Sequence, residues 1–133
     1  MPDRDQQIIS ALRRSYEAYS RGDFDTAIEI AHPEIEFVPP GRQTPLRGAE
    51  AVRTWMDPDA LEDQRIEPTE FRINGNKALV RQRARARGAG SGIEVDIEMW
   101  VVWTLDDDGL ATRMEAFLNH EKVSALEAAG LSE

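Results

Sequence analysis

Apolar residues recur along the first part of the chain with the period of a helix. Ile8, Leu12, Tyr16 and Tyr19 fall at spacings of four, four and three, which puts them on one face of a helix over residues 5–21. Arg21 and Gly22 close it, with a basic last turn and a residue free to adopt positive φ. Asp23 is a good N-cap for a short second helix running to about Ala31, with Phe24, Ala27, Ile28 and Ala31 inward; Pro33 ends it. Glu34–Val38 reads as a short strand stopped by Pro39-Pro40-Gly41, and residues 39–46 as a loop. A third helix over residues 48–56 carries Ala51, Val52, Trp55 and Met56 on one side. Asp57-Pro58-Asp59 opens an irregular connection with room for another helical turn.

From about Arg65 the period shortens to that of a strand. Phe71 and Ile73 alternate with charged neighbours, and Asn74-Gly75 supplies a tight hairpin turn. The next strand, 78–87, sets Ala78, Val80, Gln82, Ala84 and Ala86 on one face and Arg81, Arg83, Arg85 and Arg87 on the other. A glycine-rich turn over 88–92 leads to the longest alternation. There Ile93, Val95, Ile97, Met99, Val101, Trp103 and Leu105 oppose Glu94, Asp96 and Glu98. In an antiparallel hairpin those acids meet the arginine row as a charge ladder. Asp106–Gly109 turns into a last strand, 110–118, with Thr112, Met114, Ala116 and Leu118 alternating, and Asn119 caps a final helix that ends at Gly130. Amphipathic helices that cover one apolar sheet face predict an α+β domain, and 133 residues suit one core over 1–133.

Composition narrows the function. Sixteen basic against 25 acidic residues leave a net charge of −9, which disfavours binding to nucleic acid or to an anionic membrane. The absence of cysteine removes disulfides, thiolate catalysis and Cys-ligated zinc. No run of about 18 apolar residues exists to span a membrane. The polar start, Met1-Pro2-Asp3-Arg4, is unlike a signal peptide, so a cytoplasmic location is expected. His32 and His120 are the only histidines and have no matching carboxylate spacing, so no metal site is expected. The glycine turn at 88–92 lacks the Lys-Ser/Thr of a phosphate loop, and the aspartates at 106–108 read as a solvated turn.

Several phrases carry a family resemblance. They are Tyr19-Ser20-Arg21-Gly22-Asp23-Phe24-Asp25, His32-Pro33-Glu34-Ile35-Glu36-Phe37, Leu46-Arg47-Gly48-Ala49-Glu50-Ala51-Val52 and Gly90-Ser91-Gly92-Ile93-Glu94-Val95-Asp96. The Trp103-Thr104-Leu105 to Asp108-Gly109 hairpin and Leu126-Glu127-Ala128-Ala129-Gly130-Leu131 add to them. In these the chain resembles the SnoaL-like and ketosteroid-isomerase-like proteins of the nuclear-transport-factor-like fold. The resemblance implies a curved antiparallel sheet wrapped around helices, a cone-shaped, cystatin-like α+β barrel with a mostly apolar pocket. It also implies a homodimer through the outer sheet face, where Trp100 and Val102 are natural contact residues. The isomerase's own catalytic set does not carry over. The place of its aspartate before a proline is Val38, its tyrosine falls near Ser15, and its protonated aspartate falls near Val101.

On such a scaffold Glu36, two residues before Val38, is the candidate general base, since burial in an apolar cavity would raise its pKa. The plainer alternative is a strand-end carboxylate paired with an arginine. Tyr16 and Tyr19 are candidate hydrogen-bond donors to a substrate oxygen, against ordinary packing with the hydroxyl satisfied locally. Gln82 interrupts a row of small residues and either orients a ligand or bonds a neighbour. Trp55, Met56, Met99, Val101, Trp103 and Met114 line the pocket or fill the core, and His120 stands near its mouth. Arg113 and Glu115, with Glu98 on the next strand, resemble the water-activating set of limonene-epoxide-hydrolase-like proteins, although alternation points them outward. The expected function is binding of a small apolar oxygenated molecule (polyketide, terpenoid or steroid-like), with cofactor-free isomerisation, cyclisation or dehydration as its catalytic form. A non-catalytic dimeric ligand- or protein-binding module is the alternative, and epoxide hydration a third.

Overall fold

Asp3 accepts a hydrogen bond from the Gln6 backbone at 2.8 Å and so starts helix α1, Arg4–Ser20. This computed structural model describes residues 3–41 and 44–132; Arg42 and Gln43 of the predicted loop, and the terminal Met1-Pro2, lie outside the described residues. After α1 come α2 (Phe24–Ala27), capped by Asp23, and a 3₁₀ turn over Ile28–Ile30. Strand β1 occupies Ala31–Val38, β2 Leu46–Arg47, and helix α3 Ala49–Met56. Four long strands follow, β3 (Leu61–Asn74), β4 (Lys77–Gly88), β5 (Glu94–Leu105) and β6 (Ala111–Leu118). A 3₁₀ turn at Asn119–Glu121 leads into α4, Lys122–Ala128.

The six strands form one curved, unclosed sheet in the order β2-β1-β6-β5-β4-β3. All neighbours are antiparallel except β1 with β6, which run parallel. The predicted hairpin turn forms one residue on, at Gly75-Asn76 between the paired Asn74 and Lys77, with Gly75 at φ 61°. Three elements differ from the sequence expectation. The second helix stops early, because the chain leaves its 3₁₀ turn directly into β1 at Ala31, ahead of Pro33. Residues 61–64, expected to be irregular, already belong to β3; a bulge between Glu62 and Arg65 breaks their alternation, with Asp63 at φ 52°. Leu46–Arg47 pairs with Phe37 and Glu36, adding an edge strand at the end of the predicted loop.

Alternation sorts the side chains into two cores. On the concave face Ile35, Phe37, Ala78, Val80, Val101, Trp103, Leu105 and Ala116 pack against Ile8, Leu12 and Tyr16 of α1 and Val52 and Met56 of α3. On the outer face α4 covers a second cluster, with Ala125, Leu126 and Ala129 against Leu79, Trp100, Val102 and Phe117. Its C-terminal carbonyls are met by Lys77 Nζ, which donates to Ala128 O at 2.8 Å, and by Asn74 Nδ2, which donates to Ala129 O at 2.9 Å. Trp100 and Val102, expected to be free for a partner, are therefore taken by this chain's own helix: Trp100 is 3% exposed. The rest of the outer face is the expected ladder, with Arg81 bound to Glu98 and Arg83 to Asp96. No described helix is long and apolar enough to cross a membrane.

Candidate functional site

Inside the cone, α1, α3 and strands β1, β3, β5 and β6 converge on a cavity of about 40 Å³. Its wall is Ser15, Tyr16 and Tyr19 from α1, Phe37 from β1, Val52, Trp55 and Met56 from α3, Ile66 from β3, Trp103 from β5 and Met114 from β6. The helical spacing of Ser15, Tyr16 and Tyr19 turns all three to one side, and the pleat brings Phe37 beside its register partner Met114. As it stands the cavity is far smaller than a ligand pocket, which takes about 300–1,000 Å³. Side chains occupy the rest: Trp103 meets Tyr16 edge-on at 6.1 Å, and Trp55 meets Phe37 edge-on at 4.8 Å. Trp55 is nevertheless 42% exposed, so it closes the cavity from the solvent side.

The polar atoms at this wall are anchored. Tyr16 donates its hydroxyl to Gln82 Oε1 at 2.6 Å and accepts from Trp103 Nε1 at 3.2 Å. Tyr19 donates to Gln64 Oε1 at 2.6 Å, and Gln64 Nε2 in turn donates to Met56 O at 3.0 Å. Ser15 donates to Ala27 O at 2.7 Å. Burial pushes the Tyr16 phenol far above its ordinary pKa, with the Trp103 hydrogen bond opposing only in part. Burial, reinforced by the nearby Asp57 carboxylate, pushes Tyr19 up to about 12. Both phenols are thus held neutral and protonated at physiological pH. Gln82, only 2% exposed, serves as the Tyr16 acceptor; it lies behind the tyrosine and does not line the cavity.

Glu36 is placed elsewhere. The pleat of β1 that turns Phe37 inward turns Glu36 and Val38 outward, and Glu36 is paired with Arg113. Arg47 binds its second oxygen at 3.0 Å, and Arg113 also approaches Glu115 at 3.7 Å. This cluster fastens edge strand β2 to β1 and β6 on the outer side of the sheet. The expectation that Glu36 faces the pocket is corrected by this alternation. The epoxide-hydrolase-like set is likewise not assembled, because Arg113, Glu115 and Glu98 all lie on the outer face. Met99 and Val101 are buried on the concave side without lining the cavity, and His120 is exposed in the 3₁₀ turn after β6. Trp55, Met56, Trp103, Met114, Tyr16 and Tyr19 are the predicted residues that the fold brings together. Sequence reasoning missed Gln64, which falls in the bulged start of β3 where no period marks it, and Phe37, whose inward phase the β1 alternation would have revealed.

The curved sheet and the helices packed on it are shared with known structures. The chain matches the model of the SnoaL-like domain over residues 12–114. No curated protein matches the chain. Among solved structures, it resembles SalBIII, an epoxide hydrolase/cyclase-like enzyme with a role in pyran ring formation in the polyether salinomycin. That match has a TM-score of 0.79 at 20% identity, covering 87% of this chain and 93% of that one. It also resembles TerC, co-crystallised with polyporic acid, at TM-score 0.72 and 23% identity, over 90% of this chain and 96% of that one. A Mycobacterium tuberculosis protein in complex with estradiol-17β-hemisuccinate superposes at TM-score 0.74 and 14% identity, over 84% and 93%. At these identities the structural likeness speaks for the fold, and the match to the domain model speaks for the family. The chain belongs to the family of SnoaL-like domains.

Proposed function

We propose that this protein binds a small apolar oxygenated ligand, of polyketide, terpenoid or steroid-like kind, in the interior pocket behind Trp55. The observation that carries this reading is the wall itself: two phenols, each anchored to a glutamine amide, and the Ser15 hydroxyl, tied to Ala27 O, belong to an otherwise apolar lining. Apolar walls with a few fixed polar groups are what such ligands require. Trp55 is the side chain whose movement admits one. Its ring rests on Phe37 from a half-exposed position near the end of α3, so turning it into solvent opens the cavity without disturbing the sheet. Polyporic acid and estradiol-17β-hemisuccinate, which appear with proteins of similar fold, are oxygenated ring compounds of this kind.

Where turnover accompanies binding, it is cofactor-free isomerisation, cyclisation or dehydration, with a tyrosine as donor to the substrate oxygen. Of the two phenols Tyr19 is the better placed. Its partner Gln64 is half-buried and can turn to water, whereas Gln82 is sealed behind Tyr16. A phenol kept neutral by burial still has its proton to give. The test is a thermal-shift screen over steroids, aromatic polyketides, terpenoid epoxides and fatty acids. A saturable rise in Tm for one class, reduced in Tyr19→Phe, supports the reading, because a ligand bound only by the native state stabilises it. No rise across the set, in the native protein and in Trp55→Ala alike, contradicts it.

The fullness of the cavity favours a second reading, a non-catalytic homodimeric binding module whose contact is the outer sheet face. With Trp100 and Val102 under α4, that contact would fall on the charge ladder of β4 and β5. Light scattering on the purified protein tests it, and a monomer at micromolar concentration removes it.

A further inference from the structure

A larger cleft, of about 650 Å³, lies on the other side of α1, between that helix and strands β3 and β4. Arg13, Tyr16, Glu17, Ser20 and Arg21 form its helical wall, and Ile66 and Pro68 are the inward-facing residues of its strand wall. The volume lies within the range of small-molecule sites, about 300–1,000 Å³. Its floor is apolar and continues past the helix, because register aligns Ile66 with Ala84 and Ala84 with Ile97 on the concave face. Ile97 is 44% exposed, unusual for a large apolar residue at that position of a sheet.

The charge of the cleft opposes that of the chain. Five arginines and two glutamates belong to its lining, in a protein whose net charge is −9. The pleat turns Arg83 and Arg85 to the outer face, where Asp96 and Glu67 pair with them, so they add neither contacts nor net charge to the cleft. Arg21 is bound to Asp23. Arg13 and Arg65 have no carboxylate partner among the described residues. Arg13 is held in place by the Phe71 ring, 4.7 Å from its guanidinium carbon, which leaves its N–H groups free. Arg65 stands on the edge strand β3 in the outer phase that it shares with its register partner Arg85, and it lines the cleft from there, with no strand beyond it to block a reach around the edge. Glu17, one turn from Arg13 and from Arg21, is the acid of the lining with no ion-pair partner among the described residues.

We propose that this cleft is a second binding site, for an amphiphile whose carboxylate is received by Arg13 and Arg65 and whose apolar body lies along Ile66, Ala84 and Ile97. A guanidinium without a carboxylate of its own is matched to an incoming one, and an exposed apolar row beside it selects a ligand with both parts. The site stands whether or not the interior pocket takes a ligand, since the two share only Tyr16 and Ile66.

Calorimetric titration with decanoate, decanol and decyltrimethylammonium tests it. Decanoate is expected to bind about tenfold tighter than decanol, the ammonium not at all, and salt at about 0.5 M to erode the difference. Arg13→Gln with Arg65→Gln abolishes the preference at an unchanged unfolding midpoint, and Trp55→Ala leaves it intact. In unaltered protein, decanoate moves the backbone amide NMR signals of Ile66 and Glu67. Equal affinity for decanoate and decanol, a preference that survives the double substitution, or shifts confined to Phe37 and Val52 would each overturn the assignment.

Discussion

Removing one oxygen atom from the wall between the two cavities tests how far the buried tyrosine network holds the fold. Tyr16→Phe keeps the ring against Trp103 and deletes a hydroxyl that donates to Gln82 and accepts from Trp103. Gln82 is 2% exposed and Trp103 4%, so bulk solvent does not reach either partner. A neutral hydrogen bond contributes about 1 kcal/mol net, and a donor or acceptor stranded in the core costs about 1–3 kcal/mol. The 2.6 Å bond to Gln82 weighs more than the 3.2 Å bond from Trp103. The expected loss is therefore about 2–4 kcal/mol. With a urea m-value of about 2 kcal/mol/M, the unfolding midpoint drops by about 1–2 M. Gln82→Met added to Tyr16→Phe replaces both main partners by apolar groups of similar shape, and is expected to cost less than the sum of the singles. A loss under about 0.5 kcal/mol for Tyr16→Phe, the range of an inconsequential surface change, would refute this account of the network.

Other consequences are read by simple assays. The chain has two tyrosines, so alkaline titration of phenolate absorbance reports on Tyr16 and Tyr19 alone. Both folded-state values are raised, so the stability linked to them is complete below about pH 10, the unfolded value, and is lost as pH climbs through about 12. Phenolate should appear only together with unfolding; half-ionisation in folded protein near pH 10 would contradict the burial described. Glu36→Gln should cost about 1 kcal/mol, because Arg47 is mostly in water and Arg113 is half-exposed, and should leave a ligand-induced rise in Tm unchanged. Loss of that rise would show that Glu36 reaches the pocket. Leu126→Ala, emptying the centre of the outer cluster, is expected to cost about 2–4 kcal/mol in a denaturant titration. A cost below about 1 kcal/mol would mean that α4 is not a fixed cover for Trp100.

The strands and helices were legible wherever period and burial coincide. The clean alternation from Ile93 to Leu105 set β5, the Asn74-Gly75 signal marked the β3–β4 hairpin to within one residue, and α1 followed from four residues on one face. Alternation also pointed Arg113 and Glu115 outward, as found. It failed for Glu36, where proximity to Val38 suggested the pocket although the same period, applied to Ile35 and Phe37, puts the acid on the outer side. It failed at residues 61–64 because a bulge breaks the pleat and leaves Gln64 without a readable phase. The role of α4 was hidden for a different reason. A short helix with a few alanines and leucines shows what it can bury but not which sheet face it meets, and contacts through Asn74 and Lys77, far away in the chain, decide that. The ligand groups behaved alike: the sequence marks Tyr16, Tyr19 and Gln82 as polar residues in apolar rows, while only the packing shows that Gln82 serves the tyrosine.

The central claim is that the pocket behind Trp55 receives an apolar oxygenated ligand, and the three tryptophan indole N–H signals test it most directly. Trp55 and Trp103 belong to the pocket wall, and Trp100 lies under α4 on the opposite face of the sheet. A two-dimensional NMR titration with the ligand class that raises Tm should move the Trp55 and Trp103 signals in a saturable way and leave Trp100 in place. Saturable binding that leaves both Trp55 and Trp103 unmoved, or that moves Trp100 alone, would contradict the claim.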